Sequence, residues 1–265
     1  MSNEYQEKDN VFSLEEFQQF EQFNRNVNAR IPIFFCIDTS GSMQERIGIL
    51  ETRLSLLSKV MRKLLENMKG NPILSERAVI GIITYNNKAV LNLSALDLCV
   101  VDIFKVTDFY AEGQTIFSLG LSRSLQAIDH YREGIRRSDN ETFTPMLIFM
   151  TDGQPIGDDD QEIENVYNEI WKRINNNDLY VFSVGISKDA NMDYVKALRP
   201  DHIAHQMINE TDFESVFSEI ESIINKGNND SHAISDNINT KDTSSTNSFD
   251  FDYVLKITQR NLQSN

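Results

Sequence analysis

The stretch that decides the fold is Ile31-Pro32-Ile33-Phe34-Phe35-Cys36-Ile37, followed at once by Asp38-Thr39-Ser40-Gly41-Ser42. The first seven residues are apolar throughout, which is typical of a strand that is buried on both faces of a sheet. The next five bring an acid and serine hydroxyls to the carboxyl end of that strand. Oxygen ligands of this kind suit Mg²⁺, Mn²⁺ or Ca²⁺ better than zinc or copper. The stretch therefore predicts a buried strand that ends in ligands for a hard cation.

Beyond this stretch, short apolar runs alternate with longer helical patterns. The predicted strands are 31–37, 78–85, 88–93, 146–150, 179–185 and 203–207, and the predicted helices are 47–68, 115–131, 162–175, 192–198 and 212–224. The run at 88–93 follows Asn86-Asn87, a hairpin turn that would make it antiparallel to its neighbour. The alternation predicts an α/β fold: a Rossmann-like open, mostly parallel sheet with helices on both faces and one antiparallel edge strand.

The pattern divides the chain into three parts. Residues 1–29 are predicted to form an N-terminal arm with an amphipathic helix, and residues 30–226 the α/β domain. Residues 227–265 are a polar, disordered tail by composition, because their Asn, Asp, Ser and Thr cannot bury enough apolar surface. Within the tail, 249–257 alternates apolar and polar residues. That segment is either a strand added to a sheet edge or unstructured, and the sequence leaves both open.

Charge and cysteine content exclude several classes of function. The net charge is −15, which argues against binding to nucleic acid or to an anionic membrane, since both need a basic surface. No apolar run is long enough to span a membrane, and the polar N-terminus predicts no secretory signal. Cys36 and Cys99 both lie in apolar stretches and are expected to be buried thiols rather than a disulfide. A cytoplasmic location is expected.

Three polar loops then become candidates for one site. The first holds Asp38, Ser40 and Ser42, and the third, Thr151-Asp152-Gly153-Gln154-Pro155, follows the apolar run 146–150. Both occupy carboxyl ends of predicted parallel strands, where open α/β sheets bind ligands. The middle loop, Glu112-Gly113-Gln114-Thr115, opens a helix with a hydroxyl in its first turn. A fold that brings all three to one edge would collect two carboxylates and three hydroxyls.

Together, the pattern at 38–42, the threonine at 115 and Thr151-Asp152-Gly153 resemble the von Willebrand factor A domain with its metal-ion-dependent adhesion site. The phrases around Asp38 and Asp152 are most similar to the bacterial tellurium-resistance branch of that family. The resemblance covers about residues 31 to 225. Its one minor departure is Gly113-Gln114-Thr115, where that branch often has Gly-Gly-Thr.

The resemblance implies a metal site made of Asp38, Ser40, Ser42, Thr115 and Asp152. Ser40, Ser42 and Thr115 would bind Mg²⁺, or Mn²⁺ or Ca²⁺, directly, while the two acids bind directly or through water. It further implies a non-enzymatic module that binds a Glu or Asp carboxylate of a protein partner. For that branch it implies a bacterial stress or defence setting, with kinase- or phosphatase-like partners.

Other interpretations of the same residues remain. In one, the protein is a metal-independent scaffold that binds through its N-terminal helix or its tail. In another, Asp38, Ser40 and Ser42 only cap a helix that begins near Arg46. An aspartic protease is disfavoured, because that class is all-β and the chain has long helical patterns.

Two further clusters of polar residues are not expected to bind a metal. His202 and His205 are read as surface histidines rather than a metal pair. Asp158-Asp159-Asp160 is expected to stabilise the N-terminus of the following helix.

Overall fold

The computed structural model describes residues 29–47, 51–137 and 142–207, together with residue 212. Apart from residues 29 and 212, the predicted N-terminal arm, the predicted helix at 212–224 and the tail with its alternating segment lie outside these ranges. The three-part division of the chain therefore stays a prediction.

The described residues form one six-stranded sheet. In chain order its strands are β1 (Ile31–Asp38), β2 (Ala78–Tyr85), β3 (Ala89–Asp97), β4 (Met146–Thr151), β5 (Tyr180–Ile186) and β6 (His205–Met207). Across the sheet the order is β3-β2-β1-β4-β5-β6, and each neighbouring pair is parallel except β2 with β3. The predicted mostly parallel sheet with one antiparallel edge strand is confirmed.

Helices lie on both faces of this sheet. They are α1 (Arg53–Gly70), α2 (Pro72–Arg77), α3 (Ile103–Val106), α4 (Phe117–Arg137), α5 (Asp160–Asn175) and α6 (Met192–Ala197). The apolar side of α1, including Leu57 and Leu64, packs on one face. Leu121 of α4 and Ile170 of α5 pack on the other. The all-β alternative is therefore wrong.

Strand β1 lies at the centre and supplies side chains to both cores. Phe35 and Ile37 belong to the core under α1, whereas Phe34 and Cys36 belong to the core under α4 and α5. This division follows from the strand period of two, which sends successive side chains to opposite faces. Each large apolar side chain buried here contributes roughly 1.5–3 kcal/mol. The central position of β1 holds the residues that follow it on a rigid base.

The start of α1 differs from the prediction by six residues. The expected start was residue 47, but the helix begins at Arg53. Thr52 is the N-cap: its side chain accepts a hydrogen bond from Ser55 N, and Ser55 Oγ returns one to the Thr52 backbone. Apolar residues that precede Thr52 in the sequence fit the helical pattern, so the predicted helix began too early. The segment after Ser40 instead forms a short 3₁₀ helix at Gly41–Gln44.

The strand order creates a crevice beside β1. From β1 the chain proceeds to β2 and β3 on one side, whereas β4, β5 and β6 lie on the other. In open α/β sheets, ligands bind at the carboxyl ends of the strands at this reversal. Asp38 ends β1 and Thr151 ends β4, so both lie at that point.

The cysteines match the expectation only in part. Both are free thiols, and Cys36 is buried in β1, but Cys99 is exposed. Cys99 belongs to a 3₁₀ turn, Leu98–Val100, in which Leu98 takes the buried position. Within the described ranges no helix has the length and the apolar character that crossing a membrane requires.

Candidate metal centre

Asp38 is the innermost group of the site. Its side chain is fully buried. Oδ1 accepts a hydrogen bond of 2.8 Å from Ser40 N, and Oδ2 accepts one of 2.7 Å from the Thr151 hydroxyl. One bond comes from the loop after β1 and the other from the end of β4. Asp38 therefore joins the two strands that border the crevice.

A row of oxygen atoms continues from Asp38 towards the next loop. Ser40 Oγ and Ser42 Oγ are 3.0 Å apart, and Ser42 Oγ donates a 2.9 Å hydrogen bond to Asp152 Oδ1. Ser40 is the N-cap of the 3₁₀ helix, but its side chain makes no capping hydrogen bond. The two serine hydroxyls thus face each other, and Ser42 also faces Asp152. Because the Ser40 side chain makes no capping bond, helix capping does not explain this arrangement.

Main-chain hydrogen bonds bring the loop of Thr115 to the same edge of the sheet. Glu112 N donates to Thr39 O, and Gly41 N donates to Gly113 O, both at 2.9 Å. Thr115 itself is buried, and its carbonyl accepts a hydrogen bond of 2.8 Å from Ile156 N. The middle loop thus lies between the first and the third.

The turn between β2 and β3 supports this middle loop. Asn86-Asn87 forms the predicted turn, in which Asn86 N donates to Lys88 O at 2.9 Å, and Asn86 O accepts a 3.2 Å bond from Ile116 N. Gly113 has φ of +75° and lies against the Asn87 side chain, where a Cβ would come within 2.5 Å of Oδ1. Only glycine fits this position without strain.

The charges of the two acids interact. Burial raises the pKa of Asp38 to about 6, and the negative charge of Asp152 adds to the rise. The hydrogen bonds from Ser40 and Thr151 oppose the rise but do not cancel it. A cation bound at the site would favour the ionised form of Asp38.

Arg53 is a participant that the sequence did not reveal. Its Nη1 lies 2.9 Å from Asp152 Oδ2, and both side chains are almost fully buried. Its Nη2 lies 2.8 Å from Glu45 Oε2 and 3.6 Å from Asp189 Oδ2, two carboxylates that are mostly exposed. The guanidinium thus joins the loops after β1, β4 and β5.

Two side chains of the candidate site were not predicted, for different reasons. Thr151 was visible within the Thr-Asp-Gly motif, and its place at the end of an apolar strand could have indicated a role. Arg53 is 99 residues from Asp152 in sequence. No spacing or motif connects the two.

The other polar clusters do not extend the site. His205 stacks on Phe182 with ring centroids 4.4 Å apart, and His202 meets Trp171 edge to face. In the acidic run, Asp159 caps α5 as predicted, accepting hydrogen bonds from the backbone N–H groups of residues 161 and 162. Asp158 instead accepts a 3.0 Å bond from Ser118 N at the start of α4.

The spacing of the oxygen atoms in this site fits a small hard cation. Ligands of Mg²⁺ lie about 2.1 Å from the ion, so neighbouring ligands of an octahedron are about 3 Å apart. The measured separations along Ser40, Ser42 and Asp152 are 3.0 and 2.9 Å. Hydrogen bonds have the same length, so the hydroxyl protons would only need to turn away for these oxygens to face a metal, with little movement of the heavier atoms. The described part of the chain has no cluster of three or more His, Cys, Asp or Glu side chains suited to a metal, so a metal held at this site would need hydroxyl ligands as well.

Solved structures with a similar fold include a minor pilin and a pilus adhesin. The D319A mutant of the PilB minor pilin from Streptococcus sanguinis has a TM-score of 0.58 and 13% identity, covering 74% of this chain and 62% of that one. The pilus adhesin SpaC from Lactobacillus rhamnosus GG has a TM-score of 0.57 and 14% identity, over 76% of this chain and 31% of that one. This chain therefore spans less than two-thirds of either protein. At such identities the likeness concerns the fold alone.

A third structure and a family model connect the fold to a family. The von Willebrand factor type A protein from Catenulispora acidiphila has a TM-score of 0.52 and 14% identity, covering 73% of this chain and 42% of that one. No curated protein matches the sequence. The model of the von Willebrand factor type A domain matches residues 33–226, which is most of the chain. The chain therefore belongs to the von Willebrand factor type A domain family.

Proposed function

We propose that this protein is a divalent-cation-dependent binding module that captures an acidic side chain of a partner protein. The family is consistent with a protein-interaction role. One observation carries the metal dependence: Ser40, Ser42 and Asp152 line up with oxygen separations of 3.0 and 2.9 Å beside a buried Asp38. Neutral hydroxyls supply much of this site.

Each residue of the proposed site has a distinct task. Ser40, Ser42 and Thr115 would hold Mg²⁺, Mn²⁺ or Ca²⁺ through neutral oxygens, while Asp38 and Asp152 supply the negative charge. The hydroxyls carry no charge, and where an acid holds the ion through a water molecule few anionic oxygens touch it. The ion would then retain positive charge and attract a carboxylate from outside. Asp38 is held by Ser40 N and Thr151, so it orients the first loop. This chemistry is binding without turnover, and the module is proposed not to be an enzyme.

A second candidate function has its own observation. The guanidinium of Arg53 already pairs with Asp152 at 2.9 Å. A buried cation of this kind could stabilise the acidic site with no metal, in which case the module would bind partners independently of metal. The proposed bacterial stress or defence role, with kinase- or phosphatase-like partners in the cytoplasm, rests on the resemblance to the tellurium-resistance branch.

Calorimetric titration of EDTA-treated protein with Mg²⁺ and Mn²⁺ tests the proposal. We expect one site per chain, lost in Asp38→Ala and in Ser42→Ala. Asp160→Ala, which removes an exposed acid from the first turn of α5, should bind as the wild type does. Capture of a glutamate-containing peptide should then require the metal. Absence of metal binding, or peptide capture that survives EDTA and Asp38→Ala, would favour the metal-independent candidate.

A further inference from the structure

Arg53 occupies an unusual place for a positive charge. It is the first residue of α1, and its side chain is only 8% exposed. Its Nε is buried without a hydrogen-bond partner in the described residues, so only the two terminal nitrogens are engaged. Burying a guanidinium is costly unless it is paired. Its pairing with Asp152 therefore offsets part of the cost of burying the charge.

The two oxygens of Asp152 have different partners. Oδ1 accepts the hydrogen bond of Ser42, at 2.9 Å, and so belongs to the row of proposed metal ligands. Oδ2 accepts from Arg53 Nη1, also at 2.9 Å. A guanidinium on one oxygen withdraws negative charge from the other and repels a cation that approaches it. Inside a protein this effect is larger than in water.

The second terminal nitrogen of Arg53, Nη2, forms ion pairs with two other acids. Nη2 lies 2.8 Å from Glu45 Oε2 and 3.6 Å from Asp189 Oδ2, and these carboxylates are 62% and 60% exposed. The guanidinium could therefore turn from Asp152 towards these acids without losing all of its partners. The guanidinium has a carboxylate partner in either position: Asp152 before it turns, and Glu45 or Asp189 afterwards.

We propose that Arg53 is the resident counter-cation of the site and competes with the divalent metal for Asp152. This inference rests on the proposed metal site and explains how a single side chain sets its affinity. Removing the positive charge should tighten metal binding, whereas keeping the charge should not. A purely structural role for Arg53 predicts the opposite, because loosening the loops would weaken the site.

The test measures the dissociation constants of Mn²⁺ and Mg²⁺ by calorimetry in four forms of the full chain. We expect Arg53→Gln to bind Mn²⁺ about tenfold or more tightly than the wild type, which corresponds to a shift of the interaction by one logarithmic unit. Arg53→Lys should stay within about threefold of the wild type, since it retains the charge. Arg173→Gln removes another paired guanidinium, at Asp129, and should leave the affinity unchanged.

Further variants and outcomes keep the result decisive. Arg53→Met is a second neutral variant with a side chain of similar length; because either substitution leaves Asp152 buried without its cation, circular dichroism first checks that each variant is folded. Equal affinity in the wild type and the neutral variants, or weaker binding in the neutral variants, would overturn the inference while leaving the metal site intact. Metal binding by no form would overturn both the inference and the proposed function. Binding by the neutral variants alone would support the inference and assign the wild type to the metal-independent candidate.

Discussion

At the scale of single residues, the site depends on which polar groups are buried and what they face. Asp38 and Asp152 are both buried at the carboxyl edge of the sheet, and their negative charges are close enough to raise the pKa of Asp38. Hydrogen bonds from Ser40 and Thr151 oppose the rise at Asp38, while the Ser42 hydroxyl and the Arg53 guanidinium contact Asp152. Asp38 therefore faces hydroxyl and main-chain donors, whereas Asp152 faces a hydroxyl and an internal cation.

The two cysteines give a test of burial that is independent of any metal. Burial raises the pKa of the Cys36 thiol to about 12, so almost none of it is thiolate at pH 8, whereas Cys99 is exposed. We expect one thiol of the native protein to react with an aromatic disulfide reagent within minutes, and the second only after unfolding. Cys99→Ser should remove the fast reaction. A fast reaction that survives this substitution would show that Cys36 is accessible.

At the scale of elements, the strands were more predictable than the helix ends. A continuous apolar run such as 146–150 has few alternatives, and the structure extends it by a single residue, to Thr151. The start of α1 was misplaced because Thr52 and Ser55 close a cap inside an apolar pattern. Short helices such as α3, with four residues, leave too little periodicity to be recognised.

The residues of the candidate site were also predictable to different degrees. Asp38, Ser40 and Ser42 could be placed because they follow a buried strand directly. Thr115 became a candidate because its loop precedes a predicted helix, but only the resemblance assigned it to the site, since nothing in its own loop indicates the neighbouring strands. Arg53 could not be identified from sequence, because its role arises from contacts that exist only after the sheet is assembled.

Gly113 provides a prediction about the loop that carries Thr115. Its φ of +75° and its distance from Asn87 leave no room for a side chain. We expect Gly113→Ala to lower the free energy of unfolding by about 1–3 kcal/mol in urea titrations, through strain in the backbone and displacement of Asn87.

Gly153, beside Asp152, is the matched control for this substitution. A Cβ there would meet no atom within 4 Å. Gly153→Ala should therefore change stability by no more than about 0.5 kcal/mol. Equal stability of the two variants would contradict the tight fit at Gly113.

At the scale of the whole molecule, the net charge of the protein should repel the acidic partner that we propose. The chain carries a net charge of −15, and the proposed ligand is an acid. Attraction at short range must therefore act against repulsion at long range. Electrostatic steering normally accelerates association at low salt, and here its sign would be reversed.

The salt dependence of association tests this reversal. With metal held at a saturating concentration, raising the ionic strength from about 0.01 M to 0.15 M shortens the screening length from about 30 Å to 8 Å. We expect the association rate constant for a glutamate-containing peptide to rise by about two- to fivefold over this range. Stopped-flow fluorescence with a labelled peptide measures it, and a glutamine peptide, which should give no binding signal, is the specificity control. A rate constant that falls with salt would indicate a local basic surface that outweighs the net charge.

The bonds that hold the first, middle and third loops together have a consequence for how such a protein changes over generations. Thr39 with Glu112, Gly41 with Gly113, and Thr115 with Ile156 are joined through their main chains. Main-chain bonds do not depend on side-chain identity, so substitutions at Ser40 or Ser42 can alter the chemistry without dismantling the scaffold. A lineage built on this frame could pass between metal-using and metal-free descendants through single amino-acid replacements, each step remaining a folded protein.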